Sequence, residues 1–127
     1  ELIADMNRVK FSYSPYNVNS LTQAAGAAAI RDEAYFAKTR DALLKTRRQT
    51  AEQLRRRGFT LADSHTNFLF ATTDRMSCRE IFEKLRQRGV LIRRFDAPRI
   101  ENYLRITIGT DAEMARFFAA LDEILAP

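Results

Sequence analysis

The spacing of apolar residues changes character at Gly58, and that change limits what the chain can fold into. Before it, an alanine-rich stretch at residues 21–36 favours helix, and residues 39–57 carry Leu43, Leu44, Ala51 and Leu54 near helical spacing. After it come short β-like runs at residues 59–62 and 67–71. Asp63, Ser64 and His65 lie between them as turn material, so the pair predicts a hairpin. Gly58 stands where a helix terminator belongs. A chain with both periods has to pack helices against a sheet.

The remainder extends the pattern. Ser77 and Glu80 form a capping box, Cys78, Ile81, Phe82 and Leu85 make one apolar helix face, and Gly89 ends it. Residues 90–93 read as a strand and residues 96–98 as a loop. A strand at residues 103–108 then alternates Leu104, Ile106 and Ile108 with Tyr103, Arg105 and Thr107. Thr110 and Glu113 form another capping box before a stripe of Met114, Phe117, Phe118, Leu121, Ile124 and Leu125. Upstream, Ser20 and Gln23 have the same capping form, and the small residues around Gly26 imply close packing against a neighbour. The predicted fold class is α+β: a mostly antiparallel sheet with helices packed on one face, preceded by two helices. Residues 1–19, aromatic and interrupted by Pro15, read as an extended lead-in, and residues 20–127 as one domain.

Several function classes fall away. At 127 residues the chain fits one domain with a real core, and no long uncharged apolar run offers a membrane span. There is no signal peptide, and a single cysteine cannot form an internal disulfide, so a cytoplasmic protein is expected. The net charge of +5 lies mostly on two predicted helices, with seven basic residues between Arg40 and Arg57 and four between Arg79 and Arg88. That pattern reads as solvated helix faces, without the aromatic, Gly-x-x-Gly or zinc-finger signatures of a nucleic-acid partner. His65 and Cys78 are each alone of their type, no acids or ligands show metal spacing, and no glycine-rich phosphate loop is present. Arg93 and Arg105 stand out because both fall in β-like runs. If their strands pair, the two guanidinium groups converge on one oxyanion; otherwise each makes a structural salt bridge, with Asp96 or Glu101 as candidate.

Four strings then carry a resemblance: SPYNVNS at 14–20, SHTNFLF at 64–70, GVLIR at 89–93 and YLRITIGT at 103–110. Their order resembles the C-terminal small domain of fold-type I, pyridoxal-phosphate-dependent aminotransferases. LRITIGT alone is similar to the wider class I and II group, and PYNVN narrows it to the histidinol-phosphate aminotransferases.

The resemblance implies a parent enzyme that exchanges an amino group between histidinol phosphate and 2-oxoglutarate, giving imidazole-acetol phosphate and glutamate in histidine biosynthesis. It implies a homodimer whose site lies between a large and a small domain. The Schiff-base lysine, ring aspartate and phosphate-cup residues belong to the large domain. None of Lys10, Lys38, Lys45 and Lys84 sits in that lysine's motif, and the chain opens at Glu1 without an initiator methionine, so it reads as a fragment lacking the large domain. Isolated, it is expected to be inactive and to bind no pyridoxal phosphate tightly. By position, Arg105 matches the arginine that holds the substrate's phosphate or carboxylate, and Arg93 the second arginine on it. Arg94 is a rival that strand alternation turns the other way, and Asn17 approaches from the lead-in segment. Sister enzymes on the same scaffold, an aromatic or branched-chain aminotransferase or a threonine-phosphate decarboxylase, remain alternatives. So does a non-catalytic stand-alone α+β binding module.

Overall fold

Three helices open the chain: α1 (Leu2–Tyr13), α2 (Ser20–Arg31) and α3 (Glu33–Arg56). The structure is a computed structural model that describes residues 1–13, 16 and 18–126. The extended reading of residues 1–19 fails over α1. No glycine or proline precedes Pro15, and Asp5 in the first turn with Lys10 in the last complements the helix dipole. The cap of α2 is Asn19, whose side chain accepts from the Thr22 N–H at 2.9 Å, one residue earlier than the Ser20 box predicts. Gly26 has nothing within 4 Å of where a Cβ would stand, so the expected close packing is absent among the described residues.

Asp32 separates α2 from α3, five residues before the break expected near residue 37. Its N–H donates to the Ala28 and Ala29 carbonyls while its carboxylate accepts from the Tyr35 N–H at 3.1 Å, so one residue closes one helix and opens the next. The chain divides into two compact units, Glu1–Lys38 and Thr39–Pro127. The second unit, which begins inside α3, holds all four strands.

That second unit follows β1 (Thr60–Leu61), β2 (Phe68–Thr72), α4 (Cys78–Gln87), β3 (Arg93–Arg94), β4 (Leu104–Thr107) and α5 (Asp111–Leu125). The strands lie in the order β1-β2-β4-β3 with every neighbour antiparallel, and β1 and β2 form the expected hairpin. Gly58 (φ 83°) and Gly89 (φ 73°) end α3 and α4 in the left-handed region, where a side chain would be strained. The strand expected at residues 90–93 shrinks to Arg93–Arg94. Val90 commits its N–H to the helix end, 2.9 Å from the Leu85 carbonyl, and a cleft of about 330 Å³ opens between residues 89–92 and the end of β4. The capping box at Thr110 and Glu113 is complete, with side chain and backbone bonded in both directions.

Alternation sorts the sheet into two faces. Leu69, Ala71, Leu104 and Ile106 are buried, with Leu69 opposite Ile106 and Ala71 opposite Leu104. They share one core with Leu54 of α3, Ile81 and Leu85 of α4, and Phe117 and Leu121 of α5, so the helices cover this face. Burying a side chain of this size contributes roughly 1.5–3 kcal/mol. Arg57, just past α3, grips Asp122 of α5 with two bonds of 2.6 and 2.8 Å, its guanidinium 4.5 Å from the Phe118 ring. That hydrogen-bonded cation holds the Asp122 carboxyl below its ordinary value of 3.8. A depressed carboxyl stabilises the fold fully above its unfolded value, and the contribution disappears as pH falls through the folded one. Stability should therefore decline on acidification below about pH 4. Asp122→Asn should shallow that decline without abolishing it, because Asp96 and Glu113 are held down too. Thermal melts of both proteins from pH 7 down to about pH 2 measure this; parallel curves would refute the role of the pair.

Candidate functional site

The other face of the sheet carries the side chains that the core does not use. Phe70 of β2, Arg105 of β4 and Arg93 of β3 are consecutive cross-strand partners, so the three form one row across the sheet. Phe68, two residues before Phe70, and Tyr103, two before Arg105, extend that face on either side. Phe70 and Tyr103 stack with ring centroids 4.6 Å apart and planes 12° from parallel. Phe95, just after β3, meets Phe70 edge-on at 6.4 Å.

Both predicted arginines lie in this cluster. Arg105 is half-buried, with its Cζ 4.3 Å from the Phe68 ring centroid and 5.7 Å from that of Phe95; Arg93 is exposed, 5.2 Å from Phe95. Neither forms an ion pair among the described residues, and the buried Nε of Arg105 has no hydrogen-bond partner. A guanidinium fork is able to bind carboxylate or phosphate through paired N–H donors, and here two such forks stand side by side without an acid.

Arg94 is occupied elsewhere. Alternation turns it to the helix side, where its side chain is 10% exposed, bonded to the Asp96 carboxylate and 2.9 Å from the Glu101 carbonyl. Asp96 also takes Arg79 at 2.9 Å, and the bond from Arg94 holds its carboxyl below the usual range. The acids that could have paired with Arg93 or Arg105 are thus committed to other groups or lie apart. Asn102 fastens the loop between β3 and β4, accepting from the Cys78 N–H at 2.9 Å and donating to Thr72 at 3.4 Å. Asn17 lies outside the described residues. His65 is exposed beside Asp63, and burial pushes the Cys78 thiol up, so Cys78 is a core residue and no nucleophile. The described residues hold no group of three metal-ligating side chains, and several basic residues on or beside the helices are ion-paired, as in Arg56 with Glu52, Lys84 with Glu80 and Arg88 with Glu123. The aromatic lining escaped the sequence reading. The signal for it was the alternation that set Phe68 and Phe70 apart from Leu69 and Ala71.

A family model described as aminotransferase class I and II matches residues 4–121. The chain belongs to that family. Among curated aminotransferases, histidinol-phosphate aminotransferase 2 of Rhizobium meliloti (strain 1021) is 44% identical over 124 residues, which is 98% of this chain and 35% of that protein. The structure of histidinol-phosphate aminotransferase from Sinorhizobium meliloti in complex with pyridoxal-5'-phosphate is similar at a TM-score of 0.72 and 28% identity, covering 80% of this chain and 28% of that one. The histidinol-phosphate aminotransferase structure from Clostridium acetobutylicum shares the fold, with a TM-score of 0.77 at 21% identity over 94% of this chain and 37% of its own. The chain spans about a third of the length of the curated aminotransferases it matches.

The residues present do not fit the aldehyde cofactor of that structure. A Schiff base needs a lysine in a cleft that excludes water. Here Lys84 is ion-paired with Glu80 at 2.8 Å on the surface of α4, and Lys10, Lys38 and Lys45 are exposed. The division between the neighbouring arginines is testable by stability alone. Arg94→Ala should lower the urea unfolding free energy by about 1 kcal/mol or more, through lost hydrogen bonds and stem packing. Arg93→Ala should stay within about 0.5 kcal/mol of wild type or exceed it, because it removes a repulsion. Equal losses in the two variants would overturn the assignment.

Proposed function

We propose that this chain supplies the substrate-anion clamp of a transaminating enzyme of the histidinol-phosphate aminotransferase kind. The observation that carries the reading is the direct cross-strand pairing of Arg93 with Arg105 on the sheet face away from the core, with no carboxylate on either among the described residues. Arg105, half-buried and flanked by rings, is the anchor, and the exposed Arg93 closes on the same anion. The proposed reaction transfers an amino group between histidinol phosphate and 2-oxoglutarate. One clamp serves both half reactions because a phosphate and a carboxylate each offer a pair of oxygens to the planar guanidinium fork. The remainder of the active site, including a lysine that binds pyridoxal phosphate, is assigned to a large domain of the same protein, working as a homodimer.

The similar proteins are histidinol-phosphate aminotransferases, which favours this substrate over those of sister enzymes that would use the same arginines. In the protein that joins this chain to a cofactor-holding domain, Arg105→Ala should raise the Michaelis constant for histidinol phosphate at least about thirtyfold. Loss of a charge-assisted bidentate contact costs about 2–5 kcal/mol. Cofactor content, read by its visible absorbance, should not change. Unaltered constants for both substrates would remove Arg105 from the site. Parallel assays with phenylalanine and threonine phosphate separate the sister activities. The 127-residue chain alone, incubated with pyridoxal phosphate, should retain no stoichiometric visible band after dialysis; a retained band would mean that one of its own lysines holds the cofactor.

A further inference from the structure

The pairing that makes the clamp also works against it. Residues directly opposite in an antiparallel ladder stand about 4.5–5.5 Å apart at Cα, and like charges placed so destabilise each other. Arg93 and Arg105 occupy such positions, and the described residues bring no acid to either. A carboxylate would relieve the repulsion, but it would also take the donors that a ligand needs. Aromatic faces attract a guanidinium through the ring quadrupole and leave its N–H groups unspent.

We propose, resting on the anion-clamp reading, that Phe95 and Phe68 are positioning residues that hold the two guanidinium groups together on the sheet face while keeping their charge available. Phe95 is the ring common to both, 5.2 Å from Arg93 and 5.7 Å from Arg105, and Phe68 lies 4.3 Å from Arg105. Phe95 is braced in turn by the edge of Phe70, which is stacked on Tyr103. The ring therefore belongs to a packed row, and its position is not that of a loose loop side chain. Within this cluster the Nε of Arg105 is shielded and has no acceptor, so the terminal Nη groups are the donors that an incoming oxyanion meets. The rings act through the arginines and do not themselves contact the anion.

Inorganic phosphate is the probe. The 127-residue chain, labelled with nitrogen-15, is titrated with phosphate while the arginine Nε–Hε signals are followed. In wild type the Arg93 and Arg105 signals should shift together and saturate. Phe95→Leu should weaken phosphate binding about threefold to tenfold, the range expected from losing a ring–cation contact. Phe68→Leu should act mainly on the Arg105 signal, and Phe95→Tyr, which keeps the ring, should bind within about twofold of wild type. Phe95→Met, unbranched and ringless, stands in should the leucine variant unfold, and circular dichroism establishes that each variant tested is folded. If wild type shows no saturable shift at either arginine, the anion-clamp reading itself falls and this inference with it. If wild type binds and the folded ringless variants bind within about twofold of it, the clamp stands and the positioning role is overturned.

Discussion

The antiparallel pairing of β2 with β4 sets Leu69 against Ile106 and Ala71 against Leu104, and the rest of the sheet-bearing unit depends on that register. Side chains alternate along a strand, so the pairing that buries these four residues also places Phe68, Phe70, Arg105 and Thr107 together on the opposite face. A slip of one residue would drive Arg105 into the core and Ile106 out to the surface. The core and the candidate site are two faces of one constraint. The core supplies the energy that holds the register, and the register supplies the geometry of the site.

Charge is divided along the same line. Around the helices, arginines are tied to acids or carbonyls: Arg57 to Asp122, Arg88 to Glu123, Arg94 to Asp96 and Glu101. On the open face, two arginines meet rings instead. An ion pair neutralises the cation and occupies donors that an incoming anion would use. A ring attracts a cation weakly enough that an oxyanion still gains from binding it. The distinction between Arg93 and Arg94, adjacent in sequence, is thus set entirely by which side of a two-residue strand each leaves.

Much of this was legible in the residues. The alternation at residues 103–108 by itself separates Arg105 from its apolar neighbours, and the strings around Arg93 and Arg105 carry the resemblance that the family match bears out. What the residues could not supply was partnership across distance. Alternation marks the face that Phe68 takes, but its meeting with Arg105 depends on the pairing of β2 with β4, which joins positions far apart in the chain. Asp96 was a plausible partner for Arg93 until the fold gave it to Arg79 and Arg94. Local errors had local causes. Asn19 outcompetes Ser20 as a cap, Asp32 closes one helix and opens another, and Val90 spends its N–H on the end of α4. The helix at Leu2–Tyr13 was missed because Pro15 and the aromatic residues near it drew the whole segment into one extended reading.

The grip of Arg57 on Asp122 spans 65 residues of sequence. Everything between them, the whole sheet and α4 with most of α5, leaves the end of α3 and comes back to it. In topological terms the site-bearing segment is a closed loop fastened at its neck. Fastening the neck limits how far the two ends of that loop can separate. Arg93 and Arg105 both lie inside that loop, so the strand pairing that sets their spacing is enclosed by the clasp.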